Sequence, residues 1–336
     1  MVPSNTPVVS VLLPCRNASA SILPALDSLA AQTLANFEIL VVDDGSTDHT
    51  AALLDTYART EPRLRVIQGS GRGIVDALGI AAVQARAPTI ARMDADDVCD
   101  PFRFEKQLAY LDAHPDVGLC GTLVEHFGEP AAAGRRRYMK WLNALQTPDE
   151  IAREIFVECP IPHPTFMMRR EVLDAAGGYR DLGWPEDYDL VLRVARSGWR
   201  LGKVPEPLLK WRHTASRHSM TSPRYAPESF RALKRNHLMK TILARARSFY
   251  QWGAGEVGKL WLREWGCRAP IGVVDINPRK IGKRIHDLPV IAPEDLPPPG
   301  HAVTLVAVGA PGARDEIRAW FAPRGYIECR DFWFVA

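Results

Sequence analysis

The chain has 336 residues, 46% hydrophobic and 24% charged, which is enough for a packed core and about two domains of roughly 100–200 residues each. Its net charge of +3, from 42 basic and 39 acidic residues, lies too near neutral for nucleic acid to be the main partner. Six scattered cysteines without a C-x-x-C pair fit neither a zinc site nor a disulfide framework and read as reduced thiols. The N-terminus carries no basic leader before a long apolar run, and no stretch approaches roughly 18 apolar residues, so a cytoplasmic protein is expected.

Residues 8–14, VVSVLLP, predict a buried strand that ends in a polar turn. Residues 19–34 follow with Ile22, Leu26 and Leu29 at helical spacing, and Ser19 or Ser21 as N-cap. Residues 37–48 run from a second strand into Asp43-Asp44-Gly45-Ser46. A helix over 49–60, a strand over 64–69, a helix over 73–87 and a strand over 88–93 come next. Such alternation with continuous apolar strands predicts a mostly parallel sheet covered by helices on both faces. In that architecture ligands bind beyond the carboxyl ends of the strands, so Asn17, Asp43–Ser46 and Asp94–Asp97 are expected to share one crevice.

The strand over 88–93 delivers ARMDADDVCDP, which sets Asp94, Asp96, Asp97 and Asp100 within seven positions. Carboxylates this close repel one another and call for a counter-charge. Asp100, directly before Pro101, reads as a turn and helix-start residue. The other three point to a cation, and an all-oxygen ligand set suits Mg²⁺ or Mn²⁺.

The segments VSVLLPCRN, ILVVDDGSTD, IARMDADDVCDPFRFEKQL and GWPEDYDLVLRVA, in this order, resemble the family 2 glycosyltransferases of GT-A fold over roughly residues 8–220. The resemblance implies that Pro14, Arg16 and Asn17 line a base pocket and that Asp44 contacts the base of a nucleotide-sugar. It implies Asp94 near the ribose and Asp96 on a metal that bridges two phosphates, with Asp97 able to share that role. Asp187 matches the general base of inverting members, and Glu186 contacts or orients the acceptor. His213, in KWRHTASRHSMTS, matches a loop that covers the diphosphate or metal, with Arg212, Arg217 and His218 as weaker candidates. His163, in PIPHPTFMM, matches a position near the acceptor. Two departures stand out. Leu78-Gly79 replace an Arg-Asn pair common in the family, and the Q-x-x-R-W element of processive synthases is absent, so one sugar per encounter is expected.

The implied activity is metal-dependent, inverting transfer of one sugar from a nucleotide-diphosphate donor, UDP-linked by preference. The acceptor would be a glycan or lipid-linked molecule of cell-surface polysaccharide synthesis. A nucleotidyltransferase is disfavoured, because Pro14-Cys15-Arg16-Asn17-Ala18 replaces the Gly-rich basic loop that class needs after its first strand. The remaining alternative is a non-catalytic module that senses a nucleotide-sugar or NAD.

That alternative rests on the C-terminal third. WGAGEVG places Gly253, Gly255 and Gly258 between a predicted strand and helix, with Asp275 about twenty residues on, which is a dinucleotide-binding fingerprint in context. The expected division is a catalytic GT-A domain over 1–225, a basic helical connector over 226–246 and a Rossmann-like α/β domain over 247–336. The basic stretches 230–249 and Arg135–Arg137 raise peripheral contact with anionic lipid, although apolar positions such as Leu233 and Leu238 favour a docked helix.

Overall fold

The computed structural model describes residues 6–130, 132–214 and 222–336. The chain divides into two compact units, one of Met1–Ile151 with Pro160–Ser222 and one of Ala152–Cys159 with Pro223–Ala336.

The first unit is built on an eight-stranded sheet. Its strands are β1 (Val9–Cys15), β2 (Phe37–Asp43), β3 (Leu64–Gln68), β4 (Thr89–Arg92), β5 (Val98–Cys99), β6 (Val117–Gly128), β7 (Met167–Arg169) and β8 (Arg200–His213), in the order β3-β2-β1-β4-β7-β6-β8-β5. The first four are parallel, with Cys15 opposite Asp43 and Leu12 opposite Arg92. β7 and β5 run antiparallel to their neighbours, within the mostly parallel sheet that the apolar strand pattern predicts.

β1 and β2 are buried almost throughout because helices cover both faces. The helix Ile22–Ala30 lays Ile22, Leu26 and Leu29 into the core, and each such side chain contributes about 1.5–3 kcal/mol by leaving water. Ser21 stands at its N-cap but makes no side-chain cap bond. The helix stops four residues short of the sequence expectation for a tertiary reason. Gln32 is buried and donates to Asp100 O at 2.7 Å while accepting from Phe104 N at 3.1 Å, which pins the chain to the start of the helix Arg103–Ala113. The region after residue 122, which lacks a clear pattern in the sequence, extends β6 to Gly128 and then forms the helix Ala133–Ala144. β6 is held at that length by parallel pairing with β8, through two bulged stretches.

The second unit contains β9 (Phe249–Trp252), β10 (Gly272–Val274), β11 (Arg284–Ile285), β12 (Leu288–Ile291), β13 (Val303–Val306) and β14 (Phe332–Phe334) in the order β11-β12-β10-β9-β13-β14. All but β11 run parallel. The strand order reverses direction at β9, and such a switch point leaves a crevice at the carboxyl ends of the strands. The basic stretch forms the helices Pro227–Lys240 and Ile242–Arg245, interrupted at Thr241, and is grouped with this unit. Lys234 is buried there, where it donates to Val157 O at 3.1 Å and Val335 O at 2.8 Å.

Candidate functional site

In-register parallel pairing brings the ends of β1, β2 and β4 to one edge of the first sheet. Pro14 is half-buried there, and Arg16 and Asn17 are exposed. Asn17 adopts φ +51°, and its Oδ1 accepts from Thr47 N at 2.8 Å while its own N–H donates to Ser46 Oγ at 2.9 Å. The first turn is thus tied to the second. Asp48 completes the tie by accepting from Ser19 N, and the hydrogen bonds from Ser19 and Thr50 hold its carboxyl well below the usual range.

Asp44 is 3% exposed and accepts from Gly71 N at 2.8 Å and Gly73 N at 2.7 Å. Its carboxylate therefore shapes the loop that starts the helix Ile74–Gln84, with Gly73 at φ +99° as the cap residue. The space is tight: a Cβ on Gly69 would lie 2.8 Å from the Asp44 Cα. The Leu78 side chain in that helix is fully buried, so the pair Leu78-Gly79 offers packing rather than charge.

Beyond β4, oxygen atoms of Asp94, Asp96 and Asp97 all come within 4.8 Å of one another. Asp94 is paired with Arg92 at 2.5 Å, and that guanidinium is 3% exposed. Burial disfavours the Arg92 charge, but Asp94 beside it more than compensates and raises its pKa. Among the described residues, Arg92 Nε and Nη1, both buried, have no hydrogen-bond partner. Asp97 is buried and accepts from Arg212 N at 2.8 Å, while Arg212 Nε donates to Asp96 O at 2.7 Å. Arg212 also lies over the Phe127 ring of β6 at 4.5 Å, so it joins β6 and the acidic turn to β8. Asp100 accepts from Phe102 N at 2.9 Å, the turn role expected of it.

His213, the last residue of β8, falls outside the cluster of three aspartates. Its ring packs 5.2 Å from that of His126, whose pKa is lowered by burial and then by His213 and Arg135. Arg217 and His218 lie outside the described residues.

Glu186 and Asp187 open the helix Glu186–Arg196, where the helix dipole favours negative charge. The two differ sharply. Glu186 is fully buried and faces His163 Nδ1 at 3.8 Å, whereas Asp187 is half-exposed, with Oδ1 accepting from Tyr188 N at 2.7 Å. His163 Nε2 lies 3.1 Å from the Tyr179 hydroxyl. Burial raises the Tyr179 pKa, with Arg92 opposing and Glu186 and Asp187 adding to the rise. Tyr179 therefore lies in the field of Arg92 as well as of Glu186 and Asp187. Asp189 is buried against Arg193 at 2.7 Å and stiffens the same helix.

Sequence reasoning missed Arg92 and Tyr179. Arg92 carried a readable signal, because residues two apart on a strand share a face and Asp94 is two positions on. Tyr179, seven residues before Glu186 but distant in sequence from Arg92, carried none.

In the second unit Gly253 adopts φ +116° and Gly258 packs so tightly that a Cβ would lie 1.9 Å from Gly253 O. Gly255 caps the helix Glu256–Glu264, and Asp275 is 8% exposed with Oδ2 accepting from Ala254 N at 2.9 Å. These four residues line a cavity of about 520 Å³.

A family model described as glycosyl transferase family 2 matches residues 10–177. The amylovoran biosynthesis glycosyltransferase AmsE of Erwinia amylovora is 32% identical over 188 residues, 56% of this chain and 68% of that protein. An uncharacterized glycosyltransferase of Haemophilus influenzae is 30% identical over 247 residues, 70% of this chain and 74% of its own length. Among solved structures, S. aureus TarS in complex with UDP-GlcNAc gives a TM-score of 0.54 at 19% identity, over 76% of this chain and 71% of that one. A mannosyltransferase from Pyrobaculum calidifontis in complex with GDP-Man and Mn²⁺ gives 0.52 at 23% identity, over 72% of this chain and 66% of that one. The chain belongs to glycosyl transferase family 2. It is a glycosyltransferase, and its first unit has the mixed α/β architecture of these structures.

Proposed function

We propose that the protein transfers one sugar from a nucleotide-diphosphate-sugar, UDP-linked by preference, to a glycan or lipid-linked acceptor in cell-surface polysaccharide synthesis. The observation that carries the reading is the close cluster of Asp94, Asp96 and Asp97 at the carboxyl edge of the parallel strands. Its all-oxygen character fits Mg²⁺ or Mn²⁺, and Asp96 and Asp97 are the residues proposed to hold the ion. When bound, the ion neutralises charge on the departing diphosphate. Relatives named for amylovoran and O-antigen biosynthesis support the polymer context, and the fold neighbours solved with UDP-GlcNAc or GDP-Man support a nucleotide-sugar donor.

The chain's own groups divide the work. The turns at Pro14–Asn17 and Asp43–Ser46, tied by Asn17 and Asp48, form a rigid cradle for the base, and Asp94 receives the ribose. Half-exposed Asp187 takes the proton of the acceptor hydroxyl as it attacks the anomeric carbon, inverting the configuration. Buried Glu186, held toward His163, positions the turn that carries Asp187. His213 borders the diphosphate side.

The test is turnover of a panel of nucleotide-sugars with Mn²⁺, Mg²⁺ or EDTA, with the product anomer read by NMR. Turnover that survives both EDTA and Asp96→Ala would remove the metal role, and retained configuration would remove Asp187 as base.

A further inference from the structure

The crevice of the second unit is a feature that glycosyl transfer does not use. Its cavity of about 520 Å³ has the size of a small-molecule site and is walled by Trp252, Val308, Ile317 and Trp320. Its three glycines have different physical reasons. Gly253 has a left-handed φ and a Cβ there would meet Ala307 O at 2.7 Å, while Gly258 is required by the contact with Gly253. Gly255 is required by neither. It sits in ordinary extended backbone at φ −81°, and a Cβ built on it meets nothing within 4 Å. Among the described residues no neighbouring atom calls for a glycine there, and Gly255 is exposed at the cavity lining.

Asp275 supplies the polar end. Its Oδ2 accepts from Ala254 N and from Lys280 Nζ at 3.1 Å, and its Oδ1 accepts from Asn277 N at 2.8 Å. A carboxylate has about four acceptor positions, so Oδ1 retains capacity for one more donor at the cavity wall. Exposed Ile276, at 71%, stands beside it as an apolar rim. An acid fixed in this way accepts hydrogen bonds from a sugar diol and repels a phosphate on it. Besides Asp275, the charged side chains of the lining are Glu256, Lys280 and Glu316.

We infer that this crevice is a second nucleotide site, distinct from the transfer site, which takes a nucleotide with free ribose hydroxyls: the open cradle at Gly255 receives its backbone and Asp275 its diol. NAD⁺ and a UDP-sugar share that chemistry, and the experiment separates them. Thermal shift and calorimetric titration of the full-length Asp96→Ala protein in EDTA, with NAD⁺, UDP-glucose and NADP⁺, remove the metal-dependent contribution of the transfer site. Binding of NAD⁺ or UDP-glucose is expected, with NADP⁺ at least tenfold weaker than NAD⁺ if NAD⁺ is the ligand. Gly255→Val and Gly255→Asn, the second of which also caps the helix, should keep the unliganded Tm and weaken binding at least tenfold. Gly258→Ala should instead lower the unliganded Tm. Full binding in both Gly255 variants, or no binding of any of the three at millimolar concentration, would overturn the inference.

Discussion

Both units gather an acid-bearing turn at the carboxyl ends of parallel strands, yet they use carboxylates differently. In the first, three aspartates crowd within 4.8 Å beside Arg92 and Arg212. In the second, Asp275 is anchored by two main-chain amides and Lys280. Asp44 has the same amide-anchored character as Asp275, since it holds Gly71 N and Gly73 N. A carboxylate held by main-chain N–H groups orders a loop at little electrostatic cost. A cluster of them builds up repulsion that a neighbouring arginine or a bound metal ion relieves, and on the proposed reading that distinguishes a reacting edge from a binding edge.

The largest expected effect falls on the reacting edge. Asp187→Asn should lower kcat roughly 10²–10⁴-fold with donor affinity intact, because it removes a proton acceptor and little volume. A comparable loss in KM alone would reassign Asp187 to acceptor binding. Asp96→Ala should cost about 10²–10³ in rate and abolish the Mn²⁺-dependent part of the donor-induced thermal shift. Arg92→Met tests how far the protein itself balances the cluster. Removing a buried counter-charge should destabilise the chain by about 3 kcal/mol in urea titration, with Mn²⁺ restoring part of it. A loss under about 0.5 kcal/mol would mean that Asp94 needs no protein partner.

Smaller effects belong to the second unit. Burial lowers the Lys234 ammonium from its ordinary 10.5 to about 8, with Glu158 opposing and Arg231 adding. The folded state thus releases this proton before the unfolded state does. Stability of the unit should rise with pH from about 8 to 10.5 and be lost as pH falls through 8. Lys234→Met should flatten that slope, followed by tryptophan fluorescence during urea unfolding at several pH values. The smallest effect is one of thiol reactivity. Burial, then Asp43, Asp48 and Asp44, push the Cys15 thiol up to about 12, while Cys267 is exposed. Alkylation at pH 8 followed by mass spectrometry should modify the exposed Cys267 and Cys329 before any other and leave Cys15 intact; early loss of Cys15 would show that the reacting edge opens.

Much of this architecture was legible before any coordinates. Apolar runs such as VSVLLPC and FEILVVD are strands because continuous burial leaves no polar face, and polar turns after parallel strands must collect at one edge. The acids of both edges were therefore visible as candidates. What local pattern could not supply were the interactions between segments far apart in sequence: Gln32 stopping a helix, β8 extending β6, and Arg92 acting on Tyr179. The sequence by itself determined the strand–helix alternation of the first β-α units and which residues carry charge, since these follow from periodicity and residue type, and its motifs carried the resemblance to the family. Tertiary structure alone decided that Glu186 is buried while Asp187 is half-exposed, that Arg92 neutralises Asp94, and that Gly255 faces open space while Gly258 is filled by its own fold. Burial and close approach are properties of the folded chain, and neighbouring letters do not encode them.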